Sequence, residues 1–181
     1  KPEDNEELEL LLKISILCNH AKLSKTDEGN WQVLGDPTEG ALLSLGLKGG
    51  LTRKKLLQDY TLEREIEFSS ERKLMTTIYR NSNHQLEALV KGAPDVLLEK
   101  TAKVYTSSGS RELSDAKRQR LLELNEKLAS QGRRVLALAW RQVDESLLES
   151  DSAEIERELV LAGFVALIDP PRPEVKEAIA E

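Results

Sequence analysis

The sequence predicts an α+β fold: a mainly antiparallel β-sheet with helices packed on its faces. Strand-like runs stand beside one another in the chain, most plainly in residues 60–90, where apolar and polar side chains alternate about a polar turn. Helix-like segments are grouped between such runs instead of alternating strictly with them, which argues against a parallel βαβ architecture. With 39% hydrophobic residues over 181 positions, the chain can bury one substantial core.

Residues 6–21 read as a helix with acids in its first turn and Leu8, Leu11, Leu12 and Ser15 on its inner face. A turn-like loop is expected at 25–30 and a short extended piece at 31–34. Asp36 as N-cap, Pro37 as first helical residue and Glu39 two positions later mark a helix start, and Gly49-Gly50 marks its end near Leu47. Thr52 can cap a short basic helix. Residues 60–67 then form a strand. In the next strand Lys73, Met75, Thr77 and Tyr79 share one face, and Leu74, Thr76 and Ile78 share the other. Asn81-Ser82-Asn83 turns the chain, and Leu86 to Val90 returns antiparallel.

Pro94 opens another helix, and residues 103–113 read as a small hairpin or a loop. Ser114 caps a longer helix with Leu121, Leu124 and Leu128 on one stripe, stopped by Gly132. Residues 135–143 and 159–168 are apolar strands separated by an acidic surface excursion at 144–154. Asp169-Pro170-Pro171-Arg172-Pro173 is a stiff, non-helical exit that reads as a boundary. One domain is therefore expected over 1–168, with 169–181 beyond it.

The composition excludes several classes of function. A net charge of −6 argues against a general polyanion binder, so nucleic acid is not an expected partner, and a small anionic ligand would need a local cluster of cations. Cys18 is the single cysteine, which rules out an internal disulfide or a cysteine-based zinc site and suits a reducing compartment. No apolar run approaches the ~18–20 residues of a membrane span. The chain begins Lys-Pro-Glu-Asp, without an initiator Met, and is read as a segment of something larger.

Four stretches hold residues that could do chemistry, each with an ordinary alternative. Phe68 can stack on a purine, or it can be a strand-end core residue beside the solvated Arg72 and Lys73. Lys91-Gly92-Ala93-Pro94 can bring a planar ligand close to the backbone beside an ammonium, or it can be a plain strand-to-helix turn. Glu39 can accept from the exocyclic amine of adenine, or return to the Asp36 N–H as a capping box. Arg134 can reach a phosphate, or complement the preceding helix end. Cys18, His20 and His84 lack ligand-spaced partners and are read as structural or solvated. No P-loop, nucleophile elbow or HExxH occurs.

Six blocks in one order give these stretches a common meaning: Leu17-Cys18-Asn19-His20-Ala21, Gly35-Asp36-Pro37-Thr38-Glu39, FSSERKLM at 68–75, Lys91-Gly92-Ala93-Pro94-Asp95, Arg134-Val135-Leu136-Ala137 and Asp169-Pro170-Pro171-Arg172. Together they resemble the cytoplasmic nucleotide-binding domain of P-type cation-transporting ATPases, and the FSSERKLM form is most similar to the calcium-pump branch. The resemblance implies an ATP site in which Phe68 stacks the adenine, Lys91 lines the same pocket and Lys73 lies near the nucleotide. Glu39 would face the adenine amine with Thr38 beside it. Met75, Gly92, Ala93 and Leu136 would form walls, and Arg134 would reach the phosphates. Asp169 and Arg172 would belong to a hinge towards the phosphorylation domain.

Asp95 departs from the family, which more often has Glu there. The chain has no DKTGT, TGES or GDGxND motif, and in this family those lie in other domains. The implied activity is ATP and ADP binding without turnover, with no catalytic residue and no metal ligand in the chain. Mg2+ would bind elsewhere in the full-length enzyme. The implied partners are the phosphorylation and actuator domains of the same polypeptide. The domain itself would be monomeric, cytoplasmic and out of contact with the membrane of an integral membrane protein. The alternatives are the same domain from a pump for Mg2+, Na+, K+ or H+, and a non-catalytic interaction module whose pocket takes no nucleotide.

Overall fold

The computed structural model describes residues 5–26 and 29–168. The expected hinge, Asp169 and Arg172, therefore lies outside the described residues. Elements run in the order α1 (Glu6–Leu17), β1 (Lys22–Lys25), β2 (Trp31–Leu34), α2 (Pro37–Lys48), α3 (Arg53–Leu56), β3 (Tyr60–Ile66), β4 (Leu74–Asn81), β5 (Leu86–Gly92), α4 (Pro94–Glu99), β6 (Thr101–Thr106), β7 (Gly109–Glu112), α5 (Asp115–Ser130), β8 (Arg133–Val143), a 3-10 turn at Glu145–Leu147, α6 (Ser152–Ile155) and β9 (Leu159–Ile168).

Seven strands make one sheet in the order β3-β4-β5-β8-β9-β6-β7, and β1 and β2 form a separate hairpin. Every pairing in the large sheet is antiparallel except β6 with β9. The α+β expectation holds, with helices on both faces. Met75, Tyr79, Leu89, Leu138 and Val165 pack with Leu10, Ile14 and Leu17 of α1 and Leu42 of α2. On the opposite face Leu74, Val90, Ala137 and Ala139 pack with Leu97 and Leu98 of α4 and with Leu121 and Leu122 of α5. The alternation read at 73–79 thus divides the two half-cores as the pleat requires.

Three sequence expectations need correction. Helix α1 ends at Leu17, not at residue 21; Leu12 and Ser15 are buried as read from spacing, but the covered surface is wider than that face. Leu8 is exposed, while Leu10, Leu12, Ile14, Ile16 and Leu17 are all buried. The helix is covered on two sides: Leu10, Ile14 and Leu17 meet the sheet, and Ile16 meets Leu43 of α2 and Ala21. A helix apolar on two sides has no single stripe to find. On α5 the stripe is likewise displaced, since Leu124 is exposed and Leu121 and Leu122 make the contact. From sequence β1 is assigned no element, apart from Lys25 in the loop expected at 25–30, because Lys-Leu-Ser-Lys carries no alternation of its own. Its register is set by β2, with Lys25 opposite Trp31 and Lys22 opposite Leu34.

Register also places the residues of interest. Lys91 on β5 lies opposite Met75 on β4 and Leu138 on β8, so its side chain rises from the face covered by α1 and α2.

Candidate functional site

The start of α2 meets the turn that follows α1 at the end of the sheet where β5 finishes and β8 begins. The Asp36 carboxylate caps α2, accepting from the Thr38 N–H at 2.7 Å and the Glu39 N–H at 3.2 Å. Partial burial works against the charge of Asp36, but these hydrogen bonds and the nearby Arg134 guanidinium hold its carboxyl below the usual carboxylate range.

Glu39 does not close a capping box on Asp36. Its Oε2 accepts from the backbone N–H groups of His20 and Ala21, each at 3.1 Å, and its Oε1 pairs with the Lys91 ammonium. Asn19 completes the joint: its Nδ2 donates to Glu39 O at 2.8 Å and to Ser15 O at 3.0 Å, and its Oδ1 accepts from the Ala21 N–H. These bonds stop α1 early, because its last turn is held by α2 and does not continue the helix. The Lys91 side chain is 8% exposed and that of Glu39 14%, so the pair is nearly out of water. Cys18 lies buried beside them, and burial pushes its thiol up to about 11.

His20, Asp36, Thr38, Glu39, Leu42, Phe68, Lys91, Arg134 and Leu136 enclose a cleft of about 290 Å³. Phe68 forms one wall and is 59% exposed as a residue. Leu42 and Leu136 supply further apolar surface, and the Lys91–Glu39 pair is the polar floor. At the rim Arg134 donates to Thr38 Oγ1 at 2.9 Å. His20 Nε2 stands 2.6 Å from Glu65 Oε1, tying the turn after α1 to β3.

Six of the ten residues named from sequence and resemblance therefore converge: Thr38, Glu39, Phe68, Lys91, Arg134 and Leu136. Four do not line the cleft. Met75 is 1% exposed within the core behind it. The open space expected at Gly92 is occupied, since a Cβ there would collide with the Lys73 carbonyl oxygen. Gly92 therefore admits this protein's own backbone, not a ligand. Ala93 follows it and donates its N–H to Lys73 O at 3.1 Å. The Lys73 ammonium is half exposed outside the cleft, 3.9 Å from Asp95 Oδ2. His20, Asp36 and Leu42 were missed as lining residues. Leu42 could have been found, being one helical turn from Glu39; Asp36 was seen only as a cap.

A larger cavity, about 650 Å³, opens beside α1, α3 and the β4–β5 turn. Its aromatic walls already hold the protein's own cation. The Lys13 ammonium sits 5.0 Å from the Tyr60 ring centre and 6.0 Å from that of Trp140, and it pairs with Glu87 at 2.6 Å. The smaller cleft presents an open ring and an unfilled polar floor, which is what a planar heteroaromatic ligand needs. Among the described residues no cluster of acidic, histidine or cysteine side chains suits a metal ion, and no helix is long and apolar enough to cross a membrane.

Comparison with known proteins identifies the family. The family model for the P-type ATPase cytoplasmic domain N matches residues 7–174. A calcium-transporting ATPase of Bacillus subtilis (strain 168) is 36% identical over 179 residues, covering 98% of this chain and 20% of that protein. Calcium-transporting ATPase 1 of Lactococcus lactis is 37% identical over 172 residues, 95% of this chain and 19% of its own length. The sodium/potassium exporting P-type ATPase cta3 of Schizosaccharomyces pombe is 38% identical over 173 residues, 93% of this chain and 16% of its own. The chain thus spans about a fifth of the length of the curated relatives it matches.

Proposed function

We propose that this chain, which belongs to the P-type ATPases as their cytoplasmic N domain, binds ATP by its adenine ring in the Phe68 cleft. The observation that carries the reading is the exposed Phe68 ring facing the buried Lys91–Glu39 pair in one cleft, with Arg134 at the rim. A volume of about 290 Å³ is at the lower end for small-molecule pockets, which supports a bound base and leaves ribose and phosphates outside.

The polar floor suits adenine. A carboxylate offers about four acceptor sites, and three on Glu39 are taken by Lys91, His20 and Ala21, which leaves one for an exocyclic amine. The Lys91 ammonium has three donors, one engaged by Glu39, and can donate to a ring nitrogen. Guanine would set a carbonyl oxygen against the carboxylate, so ATP should be preferred to GTP. Base stacking on Phe68 supplies about 1–3 kcal/mol. After ordering costs the net affinity is about 4–5 kcal/mol, near millimolar.

In the whole protein the γ-phosphate would pass, with Mg2+, to a phosphorylation domain outside this chain, and the chain alone would neither autophosphorylate nor transport. We take the transported ion to be Ca2+, from the FSSERKLM block and the calcium-transporting relatives. Radiolabelled calcium uptake by vesicles carrying the full-length pump tests that assignment, and sodium transport in its place would refute it.

Titration of the chain with ATP, ADP and GTP, followed by NMR, tests the site. The expected result is shifts at Phe68 and Lys91 with ATP and ADP, weaker shifts with GTP, and loss of saturation in Phe68→Ala. Unmoved signals at both residues, or an unaltered affinity in Phe68→Ala, would overturn the reading and favour an interaction module.

A further inference from the structure

Phe68 is too exposed for its own packing to fix its ring, so the turn between β3 and β4 has to do so. That turn is built from Ser69 and Arg72. Lys73 N–H donates to Ser69 O at 2.7 Å, and Arg72 N–H donates to Ser69 Oγ at 3.1 Å. Lys73 sits at φ 54°, a left-handed backbone that a lysine adopts only when its surroundings impose it.

The Arg72 guanidinium spans the base of the turn. Its Nη2 donates to Glu67 O at 2.9 Å, the carbonyl immediately before Phe68, and to Leu74 O at 2.8 Å at the start of β4. Its Nε faces both carboxylate oxygens of Glu156, at 3.3 and 3.2 Å. Glu156 is fully buried, and Thr76 Oγ1 donates to its Oε1 at 2.7 Å. Eighty-four positions separate Arg72 from Glu156 in the chain. A carboxylate taken wholly out of water and aimed at one guanidinium is costly unless it fixes something.

We propose that Glu156 is a positioning residue for the nucleotide cleft, acting through Arg72 to hold the turn that presents the Phe68 ring. The proposal rests on the adenine-binding reading above. It also makes the junction between α6 and β9 part of the cleft's support, although no residue of that junction lines the cleft. Removing the Glu156 charge frees the Arg72 fork to turn towards solvent, the Glu67 carbonyl loses its donor, and the ring samples positions that do not stack.

The test is a double-mutant cycle on the 181-residue chain, with ATP affinity read by NMR titration and stability by urea unfolding. Glu156→Gln keeps the shape and the Thr76 hydrogen bond while removing the charge. It should weaken ATP binding about fivefold in the parent and by less than about 1.5-fold in a Phe68→Ala background, because coupled residues are non-additive. For the weaker background, adenosine diphosphate and ATP are titrated to the highest soluble concentration and the initial slopes compared. Stability should fall alike in both backgrounds, which separates positioning from general weakening of the fold. An unchanged ATP affinity in folded Glu156→Gln would overturn the proposal, and so would an equal loss in both backgrounds. If Glu156→Gln does not fold, Arg72→Lys retains the buried charge pair but removes the fork, and it should give the same pattern. Should Phe68→Ala alone leave ATP binding intact, the adenine site fails, a result distinct from failure of the Glu156 inference.

Discussion

Replacing Glu39 by Ala should destabilise the fold more than replacing Lys91 by Met, and the asymmetry follows from what each leaves behind. Glu39→Ala strands the Lys91 ammonium, whose side chain is 8% exposed, without its carboxylate, and it removes the acceptor of the His20 and Ala21 N–H groups. Breaking a buried pair in this way costs about 3–5 kcal/mol. Lys91→Met leaves Glu39 with its two backbone donors and fills the same channel with an apolar stem, for about 1–2 kcal/mol. In a domain of this size each kcal/mol moves Tm by roughly 2–4 °C, so Glu39→Ala should melt about 6–20 °C below the parent. Replacing both residues, Glu39→Leu with Lys91→Met, should recover most of that loss because no charge is left buried. Urea and thermal unfolding of the four proteins, followed by circular dichroism, measure all of this. Glu39→Ala costing less than Lys91→Met, or less than about 1 kcal/mol, would refute the view that this pair is a buried, mutually dependent unit.

Two other outcomes follow from the cleft. Arg134→Ala should weaken ATP several-fold while leaving adenosine nearly unaffected, since the guanidinium stands at the rim beside Thr38 and away from the base; equal losses for both ligands, measured by NMR titration, would place it elsewhere. Cys18 should resist thiol reagents in the folded protein. Its thiol, ordinarily at 9.0, is pushed up to about 11 by burial, so the folded state disfavours the thiolate. The resulting stabilisation is complete below pH 9 and is lost as pH rises towards 11, so urea unfolding across that interval should show a steeper loss in the parent than in Cys18→Ala, where Tyr79, Tyr105 and Lys13 still titrate.

Much of the fold was legible because it was written locally. The β4–β5 hairpin carries its own alternation and its own turn, and α2 announces itself with Asp36 and Pro37. Strand β1 was not legible because its partner, not its composition, makes it a strand. The cleft divides in the same way. Phe68, Lys91 and Arg134 could be suspected from exposed position and charge, and the resemblance named them together. What the sequence could not reveal was who holds whom. Glu39 reads as a capping residue by spacing, yet it serves a lysine 52 positions away. Glu156 lies just past the acidic excursion and carries no signal of its own, and only the fold brings it to Arg72.

The strand order has a consequence for how the chain matures. Among the described residues, strand β9 is the last of the sheet to be synthesised, yet it lies between β8 and β6. Until residues 159–168 have emerged, the β6–β7 hairpin has no neighbour to join, and β8 presents an open edge that other chains can pair with. Glu156 directly precedes that stretch. The four-stranded half carrying Phe68 and Lys91 therefore lacks the carboxylate beneath its turn until the chain has passed α6. Completion of the sheet and completion of the cleft become one late event, set by the passage of a single stretch of chain through the ribosome.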